Sequence, residues 1–265
     1  MPKYKRHYGL TLSISLLLCS TANADDFSKL DQALPASTDA YSIAPVFDFD
    51  TDGCLPSAGI SRTGQQNGGL KPSGGLTSGC RDSNFLNLSN TYHRYACKIN
   101  GSDQYCAHFY ALYFLKDQIL NGIQSGHRHD WENVVIWTKN GTVTHGSYSA
   151  HGNLTTRSVS ELDTNGKHIK FVYHKDGLLT HAFRFSKTGE VAENPYGYFV
   201  TPDIVSWYTM YGDQVSNDTL RNQLNRYDYG SANVPVKDGS FLSNLNRGKP
   251  DSYPQFSAAD VVRSR

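Results

Sequence analysis

VVIWTKNGTVTHGSYS, residues 134–149, sets two runs rich in valine, isoleucine, threonine and aromatic residues on either side of Asn140-Gly141. Asn-Gly between β-rich runs is the strongest short hairpin signal, because a two-residue turn needs positive φ at both central positions. Upstream, YCAHFYALYFL (105–115) is apolar on both parities, as expected for a strand buried on both faces, although periodicity alone also admits a helix. Downstream, Asn165-Gly166 precedes HIKFVYH (168–174), and the tight segment KDGLL joins that run to HAFRFS (181–186), which predicts a second hairpin. Helical patterns lie towards the ends. DFSKLDQAL (26–34) reads as an opening helix stopped at Pro35. Ser216 or Asn217 caps a helix through about Tyr227, with Leu220, Leu224 and Tyr227 on one face and Gly230 beyond it, and SFLSNL (240–245) adds a turn or two. Hairpins in the centre and helices outside them predict a mainly β chain with flanking helices, an antiparallel β-sandwich.

The chain opens with the basic residues Lys3, Lys5 and Arg6, an apolar run from Leu10 to about Cys19, and small residues at Ala22 and Ala24. This is the pattern of a secretory signal peptide over residues 1–24, cleaved after Ala24, which leaves residues 25–265 as a single domain. The apolar run is shorter than the roughly 20 residues a membrane span needs. Cleavage removes three basic and no acidic side chains from totals of 25 and 24, so the secreted chain carries about two net negative charges. Such balance gives no reason to expect nonspecific nucleic-acid binding or attraction to an anionic membrane. No protein partner is implied either.

Cys54, Cys80, Cys97 and Cys106 survive processing. An even count in an exported chain points to disulfides. Pairs Cys54 to Cys80 and Cys97 to Cys106 each flank a loop rich in small polar residues; a zinc site is the alternative, without Cys-x-x-Cys spacing to favour it. The richest Gly/Ser stretch, residues 59–79, then reads as a surface loop tethered by the first bridge.

Immediately before the central hairpin stands GHRHDWE (126–132), which crowds two histidines, an arginine, an aspartate, a tryptophan and a glutamate into seven positions. If a strand begins near Trp131, Asp130 and Glu132 share one face, while His127 folds back from the turn at Gly126. Asp117, across the loop QILNGIQS (118–125), supplies a fourth donor. Carboxylates and one imidazole, completed by water, suit Mg2+, Ca2+ or Mn2+ better than a closed zinc site. His129 and Trp131 then point away, Trp131 into the core, and Arg128 holds a neighbouring carboxylate or stands as a surface charge. Two other readings remain open: surface ion pairs worth little, and a metal-free Glu/His acid-base pair.

With NVVIW following it, GHRHDWE resembles the signature heptapeptide of the necrosis- and ethylene-inducing-peptide-like proteins, secreted cytolysins of plant-associated microbes. The resemblance runs on through FDFDTDGC (47–54), YFLKDQ (113–118), SAHG (149–152), VYHKDGLLTHAFRF (172–185) and YGSANVPVKDGSFLSNL (229–245). It implies a sandwich similar to the actinoporins and an acidic cavity holding Mg2+ or Ca2+, with ligands at Asp117, His127, Asp130 and Glu132. It also implies recognition of glycosyl inositol phosphorylceramides in plant plasma membranes, followed by membrane damage rather than enzymatic turnover. Four mature cysteines resemble the subgroup with two disulfides. Where two-cysteine members carry a tryptophan near the tip of the loop before the position of His181, this chain has Leu178 and Leu179 as candidate membrane or glycan contacts. His181 itself lines the cavity or starts a strand. A secreted metal-dependent polysaccharide lyase or hydrolase is the alternative function, with His or Glu of the heptapeptide as base.

Asp48, Asp50 and Asp52 alternate before Gly53 like the start of a calcium loop, but the twelfth position is Gly59 and not the bidentate glutamate. A solvated turn is the simpler expectation. His151 reads as architectural, and Trp137 and Trp207 as core.

Overall fold

Asn140 and Gly141 adopt φ of 50° and 76°, and the expected hairpin closes across them. The computed structural model describes residues 27–265, so the expected signal peptide lies outside the described residues. Among those described, no helix is long and apolar enough to cross a membrane.

The strands in chain order are β1 (Val46–Phe49), β2 (Thr91–Asn100), β3 (Asp103–Asp117), β4 (His127–Lys139), β5 (Thr142–Ala150), β6 (Asn153–Ser158), β7 (Thr164–Asn165), β8 (His168–Lys175), β9 (His181–Phe185) and β10 (Ile204–Ser206). A six-stranded sheet runs β10-β2-β3-β4-β5-β6; in a four-stranded sheet β8 pairs with β1, β7 and β9. Pairing is antiparallel except at β10–β2 and β1–β8, which are parallel. The two sheets face one another: Phe114 of β3 stacks on Tyr173 of β8 with ring centroids 3.8 Å apart, and Phe49 lies 6.2 Å from Phe114. On the outer face of the six-stranded sheet, Phe109 meets Phe241, Tyr113 meets Tyr229 and Trp137 meets Tyr253. That second layer explains why residues 105–115 are apolar on both parities.

Three helices follow: α1 (Asn217–Arg226), α2 (Phe241–Gly248) and α3 (Ala258–Arg263). Ser216 caps α1 by accepting the Thr219 N–H, and Leu220 and Leu224 are buried beneath it. Ser257 and Asp260 form a capping box on α3.

The expected helix over 26–34 is not present among residues 27–34. Ala33 instead bridges to Val205. Its N–H donates to the Ile204 carbonyl at 2.9 Å, and Ser206 N–H donates to the Ala33 carbonyl at 2.7 Å. Leu30 N–H is taken by Asn90. An isolated nine-residue helix is marginal in water. Docking on β10 satisfies these backbone groups and buries Leu30 and Ala33.

Both expected disulfides are formed, Cys54–Cys80 and Cys97–Cys106, the second pair standing opposite one another in the β2–β3 ladder. In the chain-entropy account each adds about 3 kcal/mol. The bridged loop is not wholly a surface loop. Gly59, Ile60 and Asn67 are buried, and Gly59 lies under the Trp131 indole, where a β-carbon would collide with the ring. Tyr92 and Tyr229 hydroxyls engage the Gly59 N–H and carbonyl at 3.1 and 2.8 Å. The Cys54–Cys80 bridge thus anchors the packing beneath the heptapeptide.

Candidate metal centre

Strict alternation along β4 would put Asp130 and Glu132 on one face and His127 on the other. The observed strand breaks that rule. The β3–β4 ladder pairs Phe114 with Asp130 and Lys116 with Arg128 but omits Leu115 opposite His129, and His129 has φ of 62°. Beyond this reversal the strand ends bring Asp117 and His127, themselves paired in register, round to Asp130. One ligand atom from each of Asp117, His127 and Asp130 lies within 4.8 Å of the others, so these three can hold a metal ion. His127 Nε2 stands 3.9 Å from Asp117 Oδ2, and its Nδ1 donates to the His129 carbonyl at 2.6 Å, which leaves Nε2 for a cation.

Glu132 falls outside that group of three, though it lines the same cavity. Ser149 Oγ donates to its Oε2. Tyr173 Oη donates to Asp130 Oδ2 at 2.8 Å. Asp117 is gripped by His181, whose backbone N–H reaches both carboxylate oxygens at 3.0 and 2.9 Å and whose Nδ1 lies 2.7 Å from Oδ1. His181 is therefore a strand-start residue that positions Asp117, and it is not among the cavity-lining residues. Burial opposes its charge, but hydrogen bonding to Asp117 and that carboxylate's charge hold its pKa above the ordinary value.

Asp117, Asp130 and Glu132 are 1, 4 and 8 % exposed. Burial raises Asp130 well above the ordinary carboxylate range, with the charge of Asp117 adding to it, and burial raises Glu132 likewise, with Asp130 adding. Among the described residues neither has a lysine or arginine ion-pair partner. His129 does not compensate them: burial and then the Arg128 charge lower it to about 4, and its Nδ1 shares a 2.6 Å hydrogen bond with Tyr113 Oη. A buried carboxylate that lacks a counter-charge neutralises or coordinates a cation. The residues present therefore fit a divalent ion held by oxygen donors and one imidazole.

Among the described residues Arg128 holds no carboxylate. It donates to the Gly68 and Gly69 carbonyls at 2.8 and 3.1 Å, fastening the bridged loop to β4. Trp131 is core, with ring centroids 5.1 to 5.5 Å from Tyr92, Tyr113 and Tyr229. Trp137 and Trp207 are core as well, their indole N–H groups taken by Ser147 and Asp238.

A cavity of about 450 Å³ opens above the centre, lined on its other side by residues of the 231–247 segment. At its mouth, His151 occupies the β5–β6 turn with φ of 50°. Its Nε2 lies 2.9 Å from Asp176 Oδ2 and its Nδ1 3.2 Å from Thr180 Oγ1. These two partners bracket Leu178 and Leu179, which are 85 and 55 % exposed. The imidazole thus joins the cavity rim to the leucine loop.

Among the described residues Asp48, Asp50 and Asp52 do not bring three donor atoms close enough to share an ion, and the first of them is not solvated. Asp48 is fully buried and accepts the Glu193 and Asn194 N–H groups and the Asn194 side-chain amide. Asp52 accepts Lys175 N–H at 3.3 Å. Asp50 lies 3.5 Å from Arg184 and is raised to about 6 by burial, against the pull of Arg184 and with the charges of Glu193, Asp52 and Asp48 adding. Because the folded value lies above the ordinary 3.8, this carboxyl adds stability below about pH 4 that is lost as pH rises through 6. Asp50→Asn is expected to gain about 1 kcal/mol on the parent between pH 4 and pH 7, once solvent screening is allowed for. Urea unfolding at the two pH values measures it, and a parent-variant gap independent of pH would refute it.

The sandwich matches solved structures described as toxin folds. One, described as a toxin fold for microbial attack and plant defence, aligns at 29 % identity over 85 % of this chain and 98 % of its own, with a TM-score of 0.68. The structure of NLPPya in complex with mannosamine aligns at 27 % identity over 86 and 98 %, with a TM-score of 0.67. In sequence, NLP effector protein 10 of Phytophthora capsici is 33 % identical over 88 % of this chain and 94 % of that protein. The necrosis-inducing protein NPP1 of Phytophthora nicotianae is 34 % identical over 74 and 76 %. The profile of the necrosis inducing protein family, NPP1, matches residues 37–248. This chain belongs to that family.

Proposed function

We propose that the chain is a secreted cytolytic virulence factor that binds glycosyl inositol phosphorylceramide head groups of plant plasma membranes through a divalent cation, Mg2+ or Ca2+, and then damages the bilayer. The observation that carries this reading is the buried pair Asp130 and Glu132 at the base of an open cavity, with no lysine or arginine ion-pair partner among the described residues. Asp117, His127 and Asp130 would hold the ion, with Glu132 as the fourth donor on the same wall. A cation bound there would supply Lewis acidity toward sugar hydroxyls. His181 and Tyr173 fix the carboxylates of Asp117 and Asp130, and Ser149 fixes Glu132. Leu178 and Leu179, next to the cavity-lining Thr180, supply exposed apolar surface for contact with the membrane.

Relatives support the reading in two ways. They are necrosis-inducing proteins and effectors by name, and one of them, NLPPya, has been seen with mannosamine and with glucosamine. A further structural relative, HaNLP3, is described as non-toxic, so family membership alone does not guarantee killing. Export fits the expected signal peptide and the two disulfides.

Dye release from vesicles containing plant glycosyl inositol phosphorylceramide tests the proposal. Leakage is expected with Mg2+ or Ca2+, absent in chelator, restored by added cation, and accompanied by no change in the recovered lipid. Equal leakage in chelator, or from vesicles lacking the glycolipid, would overturn it. Cleaved head groups would instead favour the lyase or hydrolase alternative.

A further inference from the structure

The cavity above the carboxylates has a second wall of opposite sign. We propose that this wall is an anion subsite, in which Lys237 and Arg247 bind an acidic group, carboxylate or phosphate, on the same saccharide whose hydroxyls face the Asp117, His127 and Asp130 cluster. The inference rests on the function proposed above and extends it by assigning Lys237 and Arg247 as the residues that select for the acidic part of the saccharide.

Three observations carry it. Lys237, ahead of α2, and Arg247, in its last turn, line the same cavity as Asp130 and Glu132. Among the described residues neither cation makes an ion pair, which sets them apart from Arg62, Arg94 and Arg184, each matched to carboxylates. Both are held by neutral amides instead. Lys237 Nζ donates to Asn233 Oδ1 at 3.0 Å, and Arg247 Nη2 donates to Asn244 Oδ1 at 2.8 Å. Asn244 is fixed in turn by donating to the Pro235 carbonyl at 2.9 Å. An amide orients a cation without cancelling its charge. Each retains most of its donors, and the guanidinium fork matches a carboxylate or phosphate in two-point contact.

The third observation is Asn133. It is 6 % exposed, it lines this cavity, and its side-chain nitrogen has no hydrogen-bond partner among the described residues. A buried donor left in this way is costly, and a ligand oxygen or water would relieve it. The volume, about 450 Å³, is that of a small-molecule site.

Charge separation sets the ligand class. A simple anion is repelled from the three buried carboxyls unless the metal masks them, whereas an acidic group seated at Lys237 and Arg247 is kept to the opposite wall. A molecule that is neutral and rich in hydroxyls at one end and acidic at the other meets both walls favourably. Uronic acids and sugar phosphates have this form, whether free or carried on a lipid.

Calorimetric titration of the Ca2+-loaded full chain with methyl glucoside, methyl glucuronoside and glucose 6-phosphate tests the proposal. The acidic sugars are expected to bind about tenfold tighter than the neutral one, as befits one or two partly screened charge pairs. In Lys237→Gln/Arg247→Gln that preference should vanish while affinity for methyl glucoside is unchanged. Equal affinities in the parent, or a preference that survives both substitutions, would overturn the subsite. Failure of the metal reading looks different: chelator would leave acidic-sugar binding intact and still dependent on Lys237 and Arg247. Phosphatidylinositol vesicles present a phosphosugar on a lipid. Variant-sensitive binding to them, or to free glucose 6-phosphate, supports the subsite and identifies its source. If the double variant lost binding to phosphatidylserine vesicles equally, the two residues would be general surface charge and the proposal would fall.

Discussion

Asp130→Asn is expected to abolish vesicle leakage while making the metal-free protein more stable than its parent. Asp130 is buried beside Asp117 and Glu132, and its raised pKa shows that ionising it there is costly. Asparagine keeps an oxygen to accept from Tyr173 Oη, so the packing between β4 and β8 survives. What it loses is the charge that draws the cation. With Ca2+ at 100 times its dissociation constant, the parent gains about 2.7 kcal/mol from mass action. For a domain of this size that is roughly 5–10 °C in melting temperature. The variant should melt higher than the parent in chelator and respond little to Ca2+. Thermal melts in both conditions, run beside the leakage assay, check it. A variant that still gained several degrees from Ca2+ would show that Asp130 is not a ligand.

Gly126→Ala is expected to be as damaging to lysis and far more damaging to the fold. Gly126 has φ of 82°, and a β-carbon there would fall onto the backbone carbonyl of Asp117. The left-handed backbone alone costs a non-glycine residue about 1–2 kcal/mol. The collision adds to that and cannot be relieved by a side-chain rotation, because the obstructing atom belongs to β3. Relief requires the ends of β3 and β4 to part, which separates Asp117 from His127. Gly166→Ala is the control: its φ is 62° and the space around it is open. Urea unfolding should place Gly166→Ala within about 1–2 kcal/mol of the parent. Gly126→Ala should fall well beyond that and lose its calorimetric Ca2+ signal. Equal losses in the two variants would mean that backbone strain, and not contact with Asp117, explains the glycine that opens the heptapeptide.

Local chemistry made much of this molecule readable. Asn140-Gly141 requires a turn wherever it sits between β-rich runs, and Ser216 ahead of Leu220 and Leu224 announces a capped amphipathic helix; both depend on neighbours a few residues away. The segment around Leu30 and Ala33 misled because its helical pattern is local, whereas its actual partners, Asn90 and Ile204 to Ser206, are far along the chain. The heptapeptide pointed to the acidic donors, yet alternation could not foretell that a left-handed histidine at 129 would turn the strand and bring Asp117 and His127 to Asp130. Tyr173 and Ser149 escaped notice because a hydroxyl in a strand carries no pattern of its own. Lys237 and Arg247 lie in and after a stretch whose sequence suggested kinship and no chemistry; only the packing of α2 against the sheet makes them the wall of a cavity.

The contact between His151 and the residues flanking Leu178 and Leu179 has a geometric outcome. Asp176 and Thr180 sit on either side of the leucine tip, and one imidazole on the neighbouring turn touches both. A partly exposed pair of this kind is worth at most about 1 kcal/mol, so it favours one posture without locking it. In that posture the standoff between the oily tip and the polar chamber behind it is preset, like the offset of a stylus from its pivot. A surface touched by the leucines then meets the chamber most often at one depth and one angle.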